Sequence, residues 1–230
     1  MGALDAFVPP EPSVDRRAVL TILTQRIADL PTGRRIVAVD GVDGAGKSVL
    51  ARELTAFLAP IREAHRASID GFHHPRAERY ARGVTARTYY EDSFDYRRFR
   101  GALVDPFRDG DRFVTAVFDS ETDSEVTSMP HIAGPNAVLI VDGIFLHRPE
   151  LLGLWDASIW VDVPFEVSVP RGNARFGEVG AQEADPTSTV NARWVGGQQL
   201  YLAQAQPARA ATWVLNNRDL DRPRLSSLEP

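Results

Sequence analysis

The chain has 230 residues, 43% hydrophobic and 25% charged, with a net charge of −5, the profile of one globular domain large enough to bury a core. Its acidity excludes a nucleic-acid binder that works by bulk positive charge, and the absence of cysteine excludes disulfides, thiolate catalysis and Cys-ligated zinc. No run approaches the roughly 18 apolar residues of a membrane span, so neither nucleic acid nor a membrane is an expected partner, and a reducing cytoplasm is the expected location.

Residues 1–12 read as a loose, acidic, proline-rich tail, unlike a signal peptide, and Ala6 lacks the hydroxyl of a myristoylation signal. Ser13 can cap a helix to about Leu30, with Val14, Ala18, Ile22, Leu23, Ile27 and Leu30 as its apolar stripe. A buried strand follows from Arg35 to Asp40, then a glycine-rich turn, then a helix from Lys47 to Ala59. His65 to Ile69 reads as a second strand ending at Asp70, followed by a polar, arginine-rich loop to about Thr88. Asp95 to Asp109 reads as a helix and Arg112 to Phe118 as a strand. Ala137 to Val141 is the most apolar run and ends at Asp142-Gly143. Further strands are expected at Ser158–Val163 and Thr212–Leu215, and helices at Phe165–Arg175 and Asn191–Gln204. Short apolar runs alternating with helices indicate a three-layer α/β/α fold with a mostly parallel sheet. One domain is expected over 13–230, with a lid at about 171–190.

Gly41-Val42-Asp43-Gly44-Ala45-Gly46-Lys47-Ser48 fits GxxxxGK[ST], a phosphate-binding loop in its required place between strand and helix. Lys47 is the only lysine; every other cationic side chain is arginine. A compact ammonium on a flexible stem suits a tight backbone cradle, whereas a planar guanidinium does not. Gly41, Asp43, Gly44, Ala45, Gly46, Lys47, Ser48 and Val49 are the expected nucleotide-binding residues, with helix N–H groups beneath the phosphates.

Asp142 ends the apolar run at the edge where ligands bind in open α/β sheets. It reads as a metal acid that, with Ser48, holds Mg²⁺; the competing reading is an Asp-Gly turn. Asp70 reads as the acid that orients an acceptor hydroxyl and takes its proton, against a turn or cap. Adjacent His73 and His74 point apart and lack a Cys/His cluster, so His73 is read as substrate-facing rather than metal-binding. Arg171 and Arg175 share a helix face at i, i+4 and are candidates to neutralise the transferred group, against a solvated basic face. Asn216-Asn217-Arg218-Asp219 resembles a guanine-reading NKxD without its lysine, and reads as a loop near the base. The acidic run Asp119, Glu121, Asp123 and Glu125 suits a hydroxyl-rich or amine-bearing acceptor better than an anionic one, or is a solvated loop.

In this order, GVDGAGKS, SIDGFHHPRAERY, YYEDSFDYRRF, AVFD, VLIVDGIFL and WVDVPFEVSVPRGNARFG resemble the uridine kinase/phosphoribulokinase family of P-loop kinases over roughly residues 34–220. The resemblance implies an ATP- and Mg²⁺-dependent phosphotransferase acting on a small-molecule hydroxyl, a nucleoside such as uridine. It implies Asp70 as base, Phe94, Asp95 and Asp119 with His73 at the acceptor, Arg171 and Arg175 at the phosphates, and Asn216 and Arg218 near adenine. Two departures bear on the acceptor. Asp142 stands where nucleoside kinases of this group commonly carry Glu, and Asp123 falls about where a pyrimidine-reading histidine is expected. Pantothenate, a sugar or a sugar phosphate are the alternative acceptors, with Arg76, Arg79, Arg82 and Arg87 as candidate anion contacts. A regulatory ATPase or GTPase switch is the reading from another class. The sequence leaves the choice of ATP over GTP and a homo-oligomeric state open.

Overall fold

A computed structural model describes residues 11–174 and 183–226. Its sheet has six strands in the order β2-β5-β1-β6-β7-β8: β1 Arg35–Gly41, β2 Ala64–Ser68, β5 Val138–Gly143, β6 Ala157–Asp162, β7 Trp213–Asn216 and β8 Arg224–Ser226. The first five are parallel and β8 is antiparallel to β7. β1 and β5 are buried almost throughout, as strands covered on both faces must be. A two-stranded ribbon, β3 Phe118–Asp119 and β4 Ser124–Glu125, lies apart from the sheet.

Helices α1 Val14–Ala28 and α2 Lys47–Leu58 pack together. Ser13 caps α1, its hydroxyl accepting from the Arg16 N–H. The buried stripe is Arg16, Leu20, Leu23, Thr24 and Ile27 rather than one containing Val14 and Ile22, which are exposed. The helix is turned because the Arg16 guanidinium is drawn inward to Glu53 of α2, with Nε to Oε1 at 2.9 Å. Apolar periodicity alone does not register such a buried ion pair.

Beyond β2 come a 3₁₀ turn (Ile69–Phe72) and short helices α3 Arg76–Arg79 and α4 Ala86–Asp92. α4 occupies part of what reads as an arginine-rich loop; its start is fixed by a reciprocal cap between Thr85 and Thr88. The helix expected over Asp95–Asp109 is present as α5 Tyr96–Phe99, a π turn Arg100–Val104 and α6 Asp105–Asp109. Pro106 has no N–H for the Ala102 carbonyl, and that carbonyl accepts from Val114 N–H at 3.0 Å instead.

The strand expected over Arg112–Phe118 does not form, apart from Phe118. Its backbone groups are taken by loops: Phe113 exchanges hydrogen bonds with His131, and Val117 N–H donates to Gly71. After β6 come α7 Phe165–Asn173, α8 Ala192–Ala205 and α9 Pro207–Ala210. Of the expected lid, residues 175–182 lie outside the described residues, and so does Arg175. Residues 183–191 wrap the buried Asn191 side chain, which donates to the Glu183 and Asp185 carbonyls at 2.9 and 2.8 Å. Among the described residues no helix is long and apolar enough to cross a membrane.

Candidate active site

The loop from Gly41 to Gly46 joins β1 to α2 and needs left-handed backbone at Gly44 (φ +74°) and Gly46 (φ +93°). A Cβ on Gly44 would lie 1.9 Å from the Ser168 carbonyl oxygen, and one on Gly46 2.8 Å from Asn217 Nδ2. Helix α7 and the segment after β7 are therefore pressed against the loop. Gly46 caps α2 without a side chain, which leaves the first N–H groups of α2, at Lys47, Ser48 and Val49, free of side-chain caps. Ala45 N–H donates to Val42 carbonyl at 3.1 Å and closes the turn. Lys47 is buried and folds across the loop, Nζ to the Val42 carbonyl at 2.8 Å. One of its three N–H groups is engaged there.

Asp43 tethers the loop. Its Oδ2 accepts from the Tyr89 hydroxyl at 2.7 Å and from Gln198 Nε2 at 3.2 Å, and its N–H donates to Gln198 Oε1 at 2.6 Å. Burial, reinforced by the Asp43 charge, holds the Tyr89 phenol pKa well above its ordinary value. Behind the loop, Asp40 is fully buried. Its Oδ1 accepts from Gly41 N–H at 2.7 Å, and its Oδ2 pairs with His147 Nδ1 at 2.7 Å and accepts from the Tyr201 hydroxyl. His147 Nε2 meets Ser158 Oγ at 2.9 Å. These groups hold the last residues of β1 rigid.

Ser48 Oγ donates to Asp142 Oδ2 at 2.7 Å, while Arg66 Nε donates to Asp142 Oδ1 at 2.8 Å. Asp142 is 1% exposed. Burial raises its pKa, opposed first by the Arg66 charge and then by the Ser48 hydrogen bond. A hydroxyl and a carboxylate oxygen side by side at the start of α2 form the hard-oxygen donor pair that suits Mg²⁺, so the expected metal residues fit that ion. Arg66 bears on the same carboxylate and was not singled out in the sequence.

Ser68 pairs in register with Asp142, so Asp70 follows two residues beyond the level of Asp142, just past the neighbouring strand. Its side chain is 59% exposed, with Oδ1 at 3.8 Å from His73 Nε2. His73 stacks on Phe94 with centroids 4.5 Å apart, and its Nδ1 meets the Ser93 carbonyl at 2.9 Å. Burial lowers the His73 pKa against the pull of Asp70. Sequence-expected Asp70, His73 and Phe94 are therefore brought together at the carboxyl edge of β2.

No protein-family model matches the chain. Among curated proteins it is similar to a pantothenate kinase of Rhodococcus opacus (28% identical over 138 residues, 57% of this chain and 44% of that protein). It is similar also to one of Clavibacter michiganensis subsp. michiganensis (32% over 148 residues, 55% and 43%). A third, from Limosilactobacillus fermentum, is 27% identical over 211 residues, 85% of this chain and 65% of that protein. The match spans less than half the length of the first two. Among solved structures, a possible uridine kinase from Bacillus stearothermophilus superposes with TM-score 0.69 at 21% identity, covering 86% of this chain and 97% of that one. A putative fructose transport system kinase from Silicibacter sp. TM1040 gives 0.65 at 26%, covering 82% and 94%. The chain has the fold of the uridine kinase-like P-loop kinases. Its motifs resemble that family.

Within this kinase fold several expected site residues take other roles. Arg171, expected over the transferred group, donates instead to the Asn217 carbonyl at 3.0 Å and to the Arg218 carbonyl. A guanidinium at the end of α7 faces bare loop carbonyls there, and they hold it. Asn216 and Arg218 are exposed, joined by an Arg218 N–H to Asn216 Oδ1 hydrogen bond of 3.1 Å. The residue between them, Asn217, is the one buried against the loop: Nδ2 donates to the Ala45 carbonyl at 2.8 Å and Oδ1 accepts from Arg16 at 3.1 Å. Asp119 closes the β3–β4 turn by accepting from Glu121 N–H at 2.8 Å, which depresses its pKa. Asp123, at φ +52°, accepts from Arg76 N–H at 2.7 Å and so anchors α3. Asp95 caps α5 through Arg98 N–H at 2.9 Å, next to Phe94.

Proposed function

We propose that this chain is an ATP-dependent kinase that transfers the γ-phosphoryl group to a hydroxyl of a small molecule. The reading rests chiefly on one observation, the 2.7 Å Ser48–Asp142 contact at the mouth of the phosphate loop, with Asp70 next along the same sheet edge. Loop N–H groups and Lys47 hold the β- and γ-phosphates. Ser48 and Asp142 would hold Mg²⁺, which would supply charge neutralisation of the phosphates. Asp70 orients the acceptor hydroxyl and accepts its proton; the stacked His73–Phe94 pair forms the wall behind it. The protein's contribution is positioning and charge stabilisation, because phosphoryl transfer needs little covalent chemistry from the enzyme.

The acceptor is a small polyol-like metabolite. A nucleoside such as uridine is the acceptor named for one structural neighbour, and pantothenate is named for the curated relatives. Asp119 closes a turn and Asp123, which stands where a pyrimidine-reading histidine is expected, anchors α3; both favour pantothenate or a sugar derivative over a nucleoside.

The test is acceptor dependence of ADP release, measured with uridine, cytidine, pantothenate, glycerate, ribulose 5-phosphate and common sugars. A kinase releases ADP rapidly with one of them and slowly without. Steady hydrolysis that no acceptor accelerates would instead indicate a nucleotide-driven switch.

A further inference from the structure

Two arginines, Arg79 and Arg193, carry charges that the described residues engage only weakly. Arg193, at the start of α8, lies with its guanidinium carbon 4.9 Å from the Tyr80 ring centroid, 5.7 Å from Tyr89 and 4.5 Å from Trp194. Among the described residues it makes no ion pair; its polar contact is a 3.4 Å bond from Nη1 to the Tyr80 hydroxyl. Arg79, at the end of α3, reaches the Asp123 carboxylate only at 3.5 Å. In both side chains Nε is buried and has no hydrogen-bond partner among the described residues. A buried N–H without a partner is costly, and both guanidiniums lie against one ring, with Arg79 5.6 Å and Arg193 4.9 Å from the Tyr80 centroid.

The pair sits beside the proposed chemistry. Tyr89 links the two: its hydroxyl is bonded to Asp43 of the phosphate loop, its ring meets Trp194 at 4.8 Å and the Arg193 guanidinium lies 5.7 Å from it. On the other flank, Arg79 ends α3, which begins at Arg76 shortly after His73. Aromatic faces hold Arg193 in place without neutralising it, so its charge stays available. A carboxylate or phosphate is the complement of such a fork.

We propose that Arg79 and Arg193 form a subsite for a carboxylate or phosphate on the acceptor, so that the substrate is a hydroxylated small acid rather than a neutral nucleoside. This rests on the kinase reading above for its purpose but not for its existence. The competing structural role, a cation–π staple joining Tyr80 to α8, would bind no anion.

Two readouts separate these. ADP release is measured with matched pairs, pantothenate and pantothenol, glycerate and glycerol, ribose 5-phosphate and ribose, with uridine alongside. Calorimetric binding of the same compounds is measured on the full chain with Mg²⁺ and a non-hydrolysable ATP analogue. One acid is expected to bind and turn over while its neutral counterpart does not. Arg193→Gln and Arg79→Gln should each weaken its binding at least ~10-fold, the size of a lost charge-assisted hydrogen bond, with the effect in KM more than in kcat. Arg193→Lys keeps the charge on the aromatic faces but not the fork, and should recover part of the loss, which separates a binding defect from misfolding. Equal binding of an acid and its neutral partner, unchanged affinity in both Gln variants, or no acid bound at all overturns the subsite. Arginine-dependent acid binding without phosphoryl transfer would leave the subsite standing and remove the kinase reading.

Discussion

Ser48 and Asp142 stand 94 residues apart in sequence and are joined by a 2.7 Å hydrogen bond. The contact ties the first turn of α2 to the end of β5 beside the glycine-rich loop. Arg66 occupies the other oxygen of Asp142 at 2.8 Å, so the buried carboxylate is fully paired before any ligand arrives. That pairing offsets the desolvation of a charge this deep and holds the Ser48–Asp142 pair in one geometry.

Lys47→Ala should abolish turnover while the chain stays folded. Among the described residues the ammonium's hydrogen-bond partner is a single loop carbonyl, so its loss costs little stability, whereas the β- and γ-phosphates lose their cation. Steady-state ADP release and a thermal melt check this; ADP production at the wild-type rate would remove the assignment of the loop.

Asp70→Asn should lower kcat by at least ~100-fold, the usual range for a positioned general base, with ATP affinity unchanged. A fall smaller than threefold would make Asp70 a residue of the 3₁₀ turn and nothing more. Nucleotide titration alongside kcat distinguishes the two.

Asn217→Ala should destabilise the chain by about 1–3 kcal/mol and raise KM for ATP, because it strands two buried groups. These are the Ala45 carbonyl and one N–H of Arg16. Asn217→Asp keeps the Arg16 contact and loses the other, so it should separate loop support from core stability. Chemical denaturation and ATP kinetics on both variants provide the comparison.

Gly44→Ala should cost about 1–3 kcal/mol from the left-handed backbone alone, and its Cβ would collide with the Ser168 carbonyl at 1.9 Å. Displacement of α7 from the loop should weaken ATP binding as well as lower the melting temperature. Unaltered nucleotide affinity would show that α7 does not shape the cradle.

The placement of the glycine-rich loop between β1 and α2, and of Asp142 and Asp70 at the carboxyl edge of the sheet, is legible because strand, glycine turn and helix sit together in sequence and the acids end apolar runs. Asn217 was not: the motif drew attention to Asn216 and Arg218, while burial belongs to the residue between them. Tyr89, Gln198 and Arg66 reach the loop or its acid from other elements, and nothing local in the sequence marks such contacts. The Thr85–Thr88 cap was a readable signal for α4, hidden by the arginines before it. Arg112–Phe118 has strand-like residues, but its backbone groups are taken by His131, Ala102 and Gly71, so tertiary context overrides propensity. β8 is three residues long, too short for a periodic signal.

The most direct test of the central claim follows the label from [γ-³²P]ATP in the presence of the acceptor panel, for the wild type and Asp70→Asn. The expected result is label in a phosphate monoester of one acceptor, formed by the wild type and largely lost in the variant. Label appearing only as inorganic phosphate, at a rate indifferent to every acceptor and to Asp70, would contradict it.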